Sequence, residues 1–278
     1  MGAFGIVPGM KRLLLVLVAV ALPVSGQGVP APPGTPLGFG PAHYALTRQA
    51  IAEAARFAAE RGHLTRAASL RAMAVHDRTF LAFDGETAVE LFGGLPARTV
   101  AVVVPGAGTT LDAYGRLRGG AMRLRAELGE GAAVVAWLGY PTPRLIGLGS
   151  VTTARADTAA PRLRAFVTRL AAAYPQVRIS LLCHSYGAVV CARAAPDLPA
   201  DNLVLYGTSS VPAFRSPATV WAGRGRRDWI AHVPAVFGPD PLAPGSGIRR
   251  FDAGDAGHGD YLLLDVSLKA IAGIVAHA

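Results

Sequence analysis

Between residues 99 and 251 the chain alternates short, almost unbroken apolar runs with longer helix-forming stretches. The apolar runs are Thr99–Val104, Ala132–Leu138, Val177–Cys183, Leu203–Tyr206, Ala218–Ala222 and Ile248–Phe251. Near-continuous Val, Ile and Leu without polar alternation predicts strands covered on both faces. Helices are predicted over Leu111–Leu128, Ala159–Tyr174 and Tyr186–Ala194. This rhythm implies an α/β class: a mostly parallel sheet with right-handed crossovers and helices on both faces. No internal repeat or low-complexity tract interrupts it.

Upstream the pattern differs. Lys11 and Arg12 precede an apolar run, Leu13–Val24, followed by Ser25 and Gly26. A short positive start, an apolar stretch and a small-residue exit predict a secretory signal peptide over residues 1–26. The run is short for a bilayer span, so no stable membrane span is expected after cleavage; an uncleaved anchor is the competing reading. The expected location is extracellular, with retention at the cell wall left open. Residues 27–41 form a Pro/Gly-rich linker, and residues 42–278 a single domain with a helical prefix over 42–78. Two prefix helices are predicted, His43–Arg61 and Leu64–Val75, parted at Gly62. Thr79–Phe83 and Glu86–Phe92 flank Asp84–Gly85, which predicts an antiparallel hairpin with a two-residue turn.

Composition narrows the function classes. With 51% hydrophobic and 16% charged residues, the chain is globular and far from the disordered regime. Its net charge of +9 comes from basic residues of which all but Lys11 and Lys269 are arginine. They are scattered, without a dense tract or interleaved aromatics, and so do not argue for nucleic-acid binding. The seven histidines are dispersed, with no His-x-x-x-His and no Cys-x-x-Cys, so no metal is expected. Val104-Pro-Gly-Ala-Gly-Thr-Thr110 superficially resembles a nucleotide loop. Leu111 stands where a third glycine is needed, and no Gly-Lys-Ser/Thr occurs, so no cofactor is expected.

The chemistry points elsewhere. Cys183-His184-Ser185-Tyr186-Gly187 falls where a buried strand turns into a helix, the setting of a nucleophile elbow. Gly187 supplies one small flank of that turn, while Cys183 stands where the other is usually glycine. Serine also caps helices, which is the bland alternative. In this type of site the acid and then the histidine come after the serine in the chain. His258 lies in a glycine-flanked loop just past the last strand, which makes it the candidate base. Asp228, a few residues beyond Ala218–Ala222, is the candidate acid; Asp240, Asp252, Asp255 and Asp260 are rivals, of which Asp255 and Asp260 lie too near His258 in sequence to reach its ring easily from the far side. A structural reading would pair Asp228 with Arg224, Arg226 or Arg227, which themselves form either a solvated loop or a reader of anionic substrates. An oxyanion hole needs two backbone N–H groups, assigned to Tyr186 and Ala107, with Gly106 able to replace the latter. His184 is expected to pack behind the turn.

From Thr79 onward, Val104-Pro-Gly-Ala-Gly, Ala136-Trp-Leu-Gly-Tyr140, Cys183-His-Ser-Tyr-Gly187, Asp228-Trp-Ile230 and His258-Gly-Asp-Tyr261 together carry a resemblance. They resemble an alpha/beta-hydrolase family of uncharacterised function found in secreted actinobacterial proteins. The helical prefix resembles that family's N-terminal region. The resemblance implies an alpha/beta-hydrolase fold and places Ser185, Asp228 and His258 on the family's presumed triad, without naming a substrate. The short segment Thr208–Pro217 leaves no room for a large inserted lid. The expected activity is hydrolysis of a carboxylic ester, on a small-molecule or a lipid or cell-envelope acyl substrate. Amide or peptide cleavage, acyl transfer, and a non-catalytic binding module are the alternatives.

Export would permit a disulfide between the two cysteines, Cys183 and Cys191. A helix packs roughly 10 Å from its sheet, whereas bridged Cα atoms come within about 7 Å, so two buried free thiols are expected.

Overall fold

The computed structural model describes residues 34–144 and 152–277; the signal-peptide reading lies outside the described residues. Eight strands form one sheet among them: β1 (Thr79–Phe83), β2 (Ala88–Phe92), β3 (Thr99–Val104), β4 (Ala132–Leu138), β5 (Arg178–His184), β6 (Asn202–Tyr206), β7 (Thr219–Gly223) and β8 (Arg249–Arg250). Their spatial order is β1-β2-β4-β3-β5-β6-β7-β8. The β1–β2 hairpin joins β4 antiparallel, and all pairings from β4 through β8 are parallel. Among the described residues six α-helices accompany the sheet: α1 (Pro41–Glu60), α2 (Leu64–Met73), α3 (Gly115–Leu128), α4 (Ala154–Ala173), α5 (Tyr186–Ala194) and α6 (Asp265–Ala276).

The unbroken apolar runs have the expected cause. Val100, Val102 and Val104 of β3 enter one core with α4 and α5, while Ala101 and Val103 enter a second core with α3 and α6. In β4, residues 133, 135 and 137 divide from 134, 136 and 138 in the same way. A strand pleat with period two therefore needs apolar side chains at every position here.

The prefix packs through a stripe of small residues. Thr47, Ala50, Ile51, Ala54, Ala55 and Ala58 of α1 are buried at helical spacing. Arg78, after α2, donates to the Ala72 carbonyl and to both oxygens of Glu90 at 2.7 and 2.8 Å. Glu90 is a buried carboxylate in the middle of β2, and Arg78 fastens α2 to that strand. The final residues of the Pro/Gly-rich stretch lie along β1, where Thr35 exchanges both backbone bonds with Phe83.

Four expectations need correction. The hairpin turn spans Asp84–Thr87 instead of two residues, because Asp84 Oδ1 accepts from the N–H groups of Glu86 and Thr87 and holds a wider loop. Helix α4 starts at Ala154, well before Ala159, and runs through Pro161. Proline removes one helical bond; the buried stripe Ala156, Ala159, Ala160 and Leu163 holds the helix against the core regardless. Leu111–Ala113 is a separate 3-10 turn, so α3 begins only at Gly115.

The fourth concerns the cysteines. Cys183 and Cys191 form a disulfide, with Cα atoms 6.4 Å apart. The layer spacing runs to the helix axis, but Cα atoms on the near side stand about 2.3 Å closer to the sheet. The sharp turn at Ser185 also starts α5 close to the end of β5. The bridge thus ties β5 to the helix after it. Replacing both cysteines by alanine is expected to lower stability by about 2–3 kcal/mol, read from urea unfolding, given the short loop closed. Unreduced folded protein should take up no thiol reagent.

Candidate active site

The strand order reverses around β3: β4 lies on one side and β5 on the other. In open α/β sheets such a switch point leaves a crevice at the carboxyl ends of the strands. The loop after β3 and the turn after β5 both open there.

Ser185 occupies that turn with φ 54° and ψ −123°, a left-handed conformation unusual outside glycine. Strain of this kind costs of order 1–3 kcal/mol and persists where surrounding structure enforces it. Two glycines do the enforcing. A Cβ on Gly187 would lie 2.5 Å from the Val104 carbonyl oxygen, and one on Gly106 would lie 2.7 Å from Ser185 Cβ. The elbow can therefore press against β3 and its loop only with glycine at both places. The Ser185 N–H donates to the Tyr206 carbonyl at 2.9 Å.

His258 comes from the loop between β8 and α6. Its Nε2 stands 3.0 Å from Ser185 Oγ, and its Nδ1 stands 3.0 and 3.2 Å from the two oxygens of Asp228. Asp228 lies just past β7, where its Oδ1 caps a 3-10 turn by accepting from the Ile230 N–H at 2.9 Å. Its Oδ2 accepts from the Tyr261 hydroxyl at 2.6 Å, and that hydroxyl accepts from the Gly225 N–H. Burial opposes ionisation of Asp228, but the hydrogen bonds from His258, Tyr261 and Ile230 outweigh it and hold the carboxyl below its ordinary range. Ser185, His258 and Asp228 thus stand in one line of hydrogen-bonding distances, drawn from three separate loops.

Rival acids are engaged elsewhere. Asp240 pairs with Arg224 at 2.7 Å, Asp255 with Arg226 at 2.7 Å, and Asp260 approaches Arg116 at 3.8 Å. Asp252 lies 3.8 Å from Arg226. Arg224 and Arg226 are therefore committed to carboxylates of the same chain.

The loop after β3 is braced from β4. Tyr140 donates its hydroxyl to the Pro105 carbonyl at 2.7 Å, and Thr142 donates to the Thr109 carbonyl at 2.7 Å. The Gly108 N–H is taken by the Pro143 carbonyl. Ala107 stands next to Gly106, which touches Ser185, and the N–H of Tyr186 opens α5, where the first N–H groups have no partner within a helix. The Tyr186 side chain turns away, donating to the Thr152 carbonyl and accepting from the Ala156 N–H.

Residues 84–239 match the profile of an alpha/beta hydrolase family. The chain belongs to that family. No curated protein matches it. Among solved structures, this hydrolase is similar to a serine hydrolase without lid from Xanthomonas campestris, with 20% identity over 73% of this chain and 94% of that one, at a TM-score of 0.48. It is also similar to esterase PE8, with 15% identity over 69% of this chain and 99% of the other, at a TM-score of 0.47. A dienelactone hydrolase from Anabaena variabilis matches at 15% identity over 73% and 97%, with a TM-score of 0.42.

Two contributors in the hydrolase site escape sequence reasoning. Tyr261 as partner of Asp228 and Tyr140 as brace of the Pro105 loop depend on tertiary contact, and no spacing rule pairs them. The glycine before Tyr140 and the loop placement of Tyr261 are the available signals, and neither names a partner.

His184 packs behind the elbow as expected. It donates from Nε2 to the His258 carbonyl at 2.6 Å, since a carbonyl can only accept, and its ring lies between those of Tyr206, His258 and Tyr261. Burial above all, then the neighbouring His258, pushes its pKa down to about 4. Above pH 6.5 the ring is neutral in both folded and unfolded chains. Between about 6.5 and 4 the unfolded chain gains a proton that the folded chain refuses, so stability falls on acidification. The loss expected from this ring is about 3 kcal/mol across the window. Urea unfolding between about pH 7 and pH 4 checks the slope, and an imidazole NMR signal still neutral at about pH 5 assigns it to His184.

Proposed function

We propose that the chain is an exported serine hydrolase that cleaves a carboxylic ester through an acyl-enzyme on Ser185. The observation that carries this is the alignment of Ser185 Oγ, the His258 ring and the Asp228 carboxylate at about hydrogen-bonding distance, with Ser185 held in a strained elbow. His258 Nε2 takes the proton as Ser185 Oγ attacks the acyl carbonyl. Asp228 accepts the Nδ1–H, which fixes the tautomer and stabilises the imidazolium that forms. The backbone N–H groups of Ala107 and Tyr186 bind the oxyanion. The protonated His258 gives its proton to the leaving alcohol; water then attacks the acyl carbonyl with His258 as base, the acyl–Oγ bond breaks to release the free acid, and His258 returns the proton to Ser185 Oγ.

Export is supported by the N-terminal pattern of Lys11, Arg12 and the apolar run after them. The Cys183–Cys191 disulfide fits an oxidising compartment. Among the described residues no helix is long and apolar enough to cross a membrane. Residues 207–218, between β6 and β7, hold no helix or strand, and Trp229 stands half-exposed against the His258 ring at 4.6 Å between centroids. A site rimmed this way is open to an acyl group carried on a larger lipid or envelope molecule.

Parallel assays of a nitrophenyl acyl ester, the matching nitroanilide, and the ester with added alcohol acceptors test the assignment. Ester turnover well above amide turnover, with free acid as the product, is expected. Dominant amide cleavage or ester formation would replace it with one of the other acyl-transfer activities.

A further inference from the structure

Beside the triad lies a cavity of about 480 Å³ whose lining begins at the two loops flanking Ser185, with Ala107 on one side and His258 on the other. Leu117 and Gly120 of α3, the turn Tyr261–Leu263, and Val103 and Tyr206 of the sheet also line it. At Gly120 the helix has no side chain, and Leu262 packs directly on it.

The polar groups on this lining are few and mostly engaged. His184 Nε2 is bound to the His258 carbonyl, and the Tyr261 hydroxyl to Asp228 and Gly225. Arg116 lines the cavity with its side chain 69% exposed, and it donates to the Gly259 carbonyl. The Tyr206 hydroxyl makes no hydrogen bond to the protein among the described residues, and burial alone raises its pKa. What remains for an occupant to touch is mostly hydrocarbon, from leucine, valine, alanine, proline and ring faces, with the Thr109 side chain and the Tyr206 hydroxyl as the polar exceptions. A ligand rich in hydrogen-bonding groups would leave them unpaired there, at considerable cost.

The geometry points to an alkyl chain of medium length seated in this cavity, carried on the acyl or the alcohol side of the ester. This inference rests on the reading of Ser185 as nucleophile, and it adds the substrate class. The volume of about 480 Å³ also sets an upper limit on the length of chain the cavity can hold. Leu117 of α3 and Leu263 of the loop after His258, both on the cavity lining, are the specificity-determining residues.

Two series of esters test it: nitrophenyl esters from acetate to palmitate, and acetates of alcohols of increasing length. In one series kcat/KM should rise about threefold to fourfold per added methylene up to a medium chain, then fall for the longest. The series that shows the rise identifies which side of the ester enters. Leu117→Trp should move the optimum to shorter chains, and Leu263→Ala should move it to longer ones. Tyr206→Phe, which removes an unbonded hydroxyl from the lining, should keep the chain-length preference, because that preference is set by hydrocarbon contacts. A wild-type optimum at the shortest member of both series would overturn the inference, as would an optimum unmoved in both leucine variants. Either outcome with fluorophosphonate still labelling Ser185 leaves the hydrolase reading standing. Absence of labelling removes that reading and this inference with it.

Discussion

Ser185→Ala is expected to lower kcat on an activated ester by about five to six orders of magnitude while the protein remains folded. The substitution removes the oxygen that stands 3.0 Å from His258 Nε2 and leaves every backbone contact of the elbow in place. The Ser185 N–H still meets the Tyr206 carbonyl, and Gly106 and Gly187 still accommodate the turn. A methyl group has the same positive-φ strain as the hydroxymethyl group it replaces, so the thermal midpoint should move by only a few degrees. Serine and histidine act as one unit, so a variant carrying both Ser185→Ala and His258→Ala should be scarcely slower than either alone. Residual turnover above one part in a hundred, or losses that multiply in the double variant, would contradict this.

Asp228→Asn should cost about three to four orders of magnitude in kcat with little change in KM. The amide is nearly isosteric, so the fold is preserved, but the carboxylate here does three jobs at once. Oδ1 accepts from the Ile230 N–H, Oδ2 accepts from the Tyr261 hydroxyl, and both lie near His258 Nδ1. An amide has only one oxygen for these donors. Turned toward Ile230, it faces the Tyr261 hydroxyl with an N–H group; turned the other way, it opposes the Ile230 N–H. In either orientation the negative charge that stabilises the imidazolium is gone. Steady-state kinetics on the same ester measure the effect, and a loss below tenfold would show that Asp228 only holds structure.

Much of this site is legible in the sequence because it depends on local chemistry and chain order. The run Thr99–Val104 coincides with β3, Ala132–Leu138 with β4, and Tyr186–Ala194 with α5, since both-faced burial and helix-forming residues write themselves directly into composition. Ser185 stands out by its strand-to-helix turn, and Asp228 and His258 by their order downstream of it; their mutual distances come only from the folded chain. The features hidden from the sequence depend on distance between residues remote along it. The disulfide contradicts the expectation of free thiols because a generic layer spacing does not describe the actual start of α5. Helix α6 is absent from the predicted elements, although Leu268, Ile271, Ala272 and Val275 are buried at helical spacing and cover the sheet beside α3. Glu90 shows the opposite difficulty: a carboxylate inside an apolar strand argues against burial until Arg78 is found opposite it.

The most direct measurement is reaction of the purified protein with a fluorophosphonate, with peptide mapping of the adduct. The account predicts stoichiometric modification at residue 185, lost in Ser185→Ala and strongly slowed in His258→Ala. Folded protein that remains unmodified, or that carries the adduct on another side chain, would contradict it.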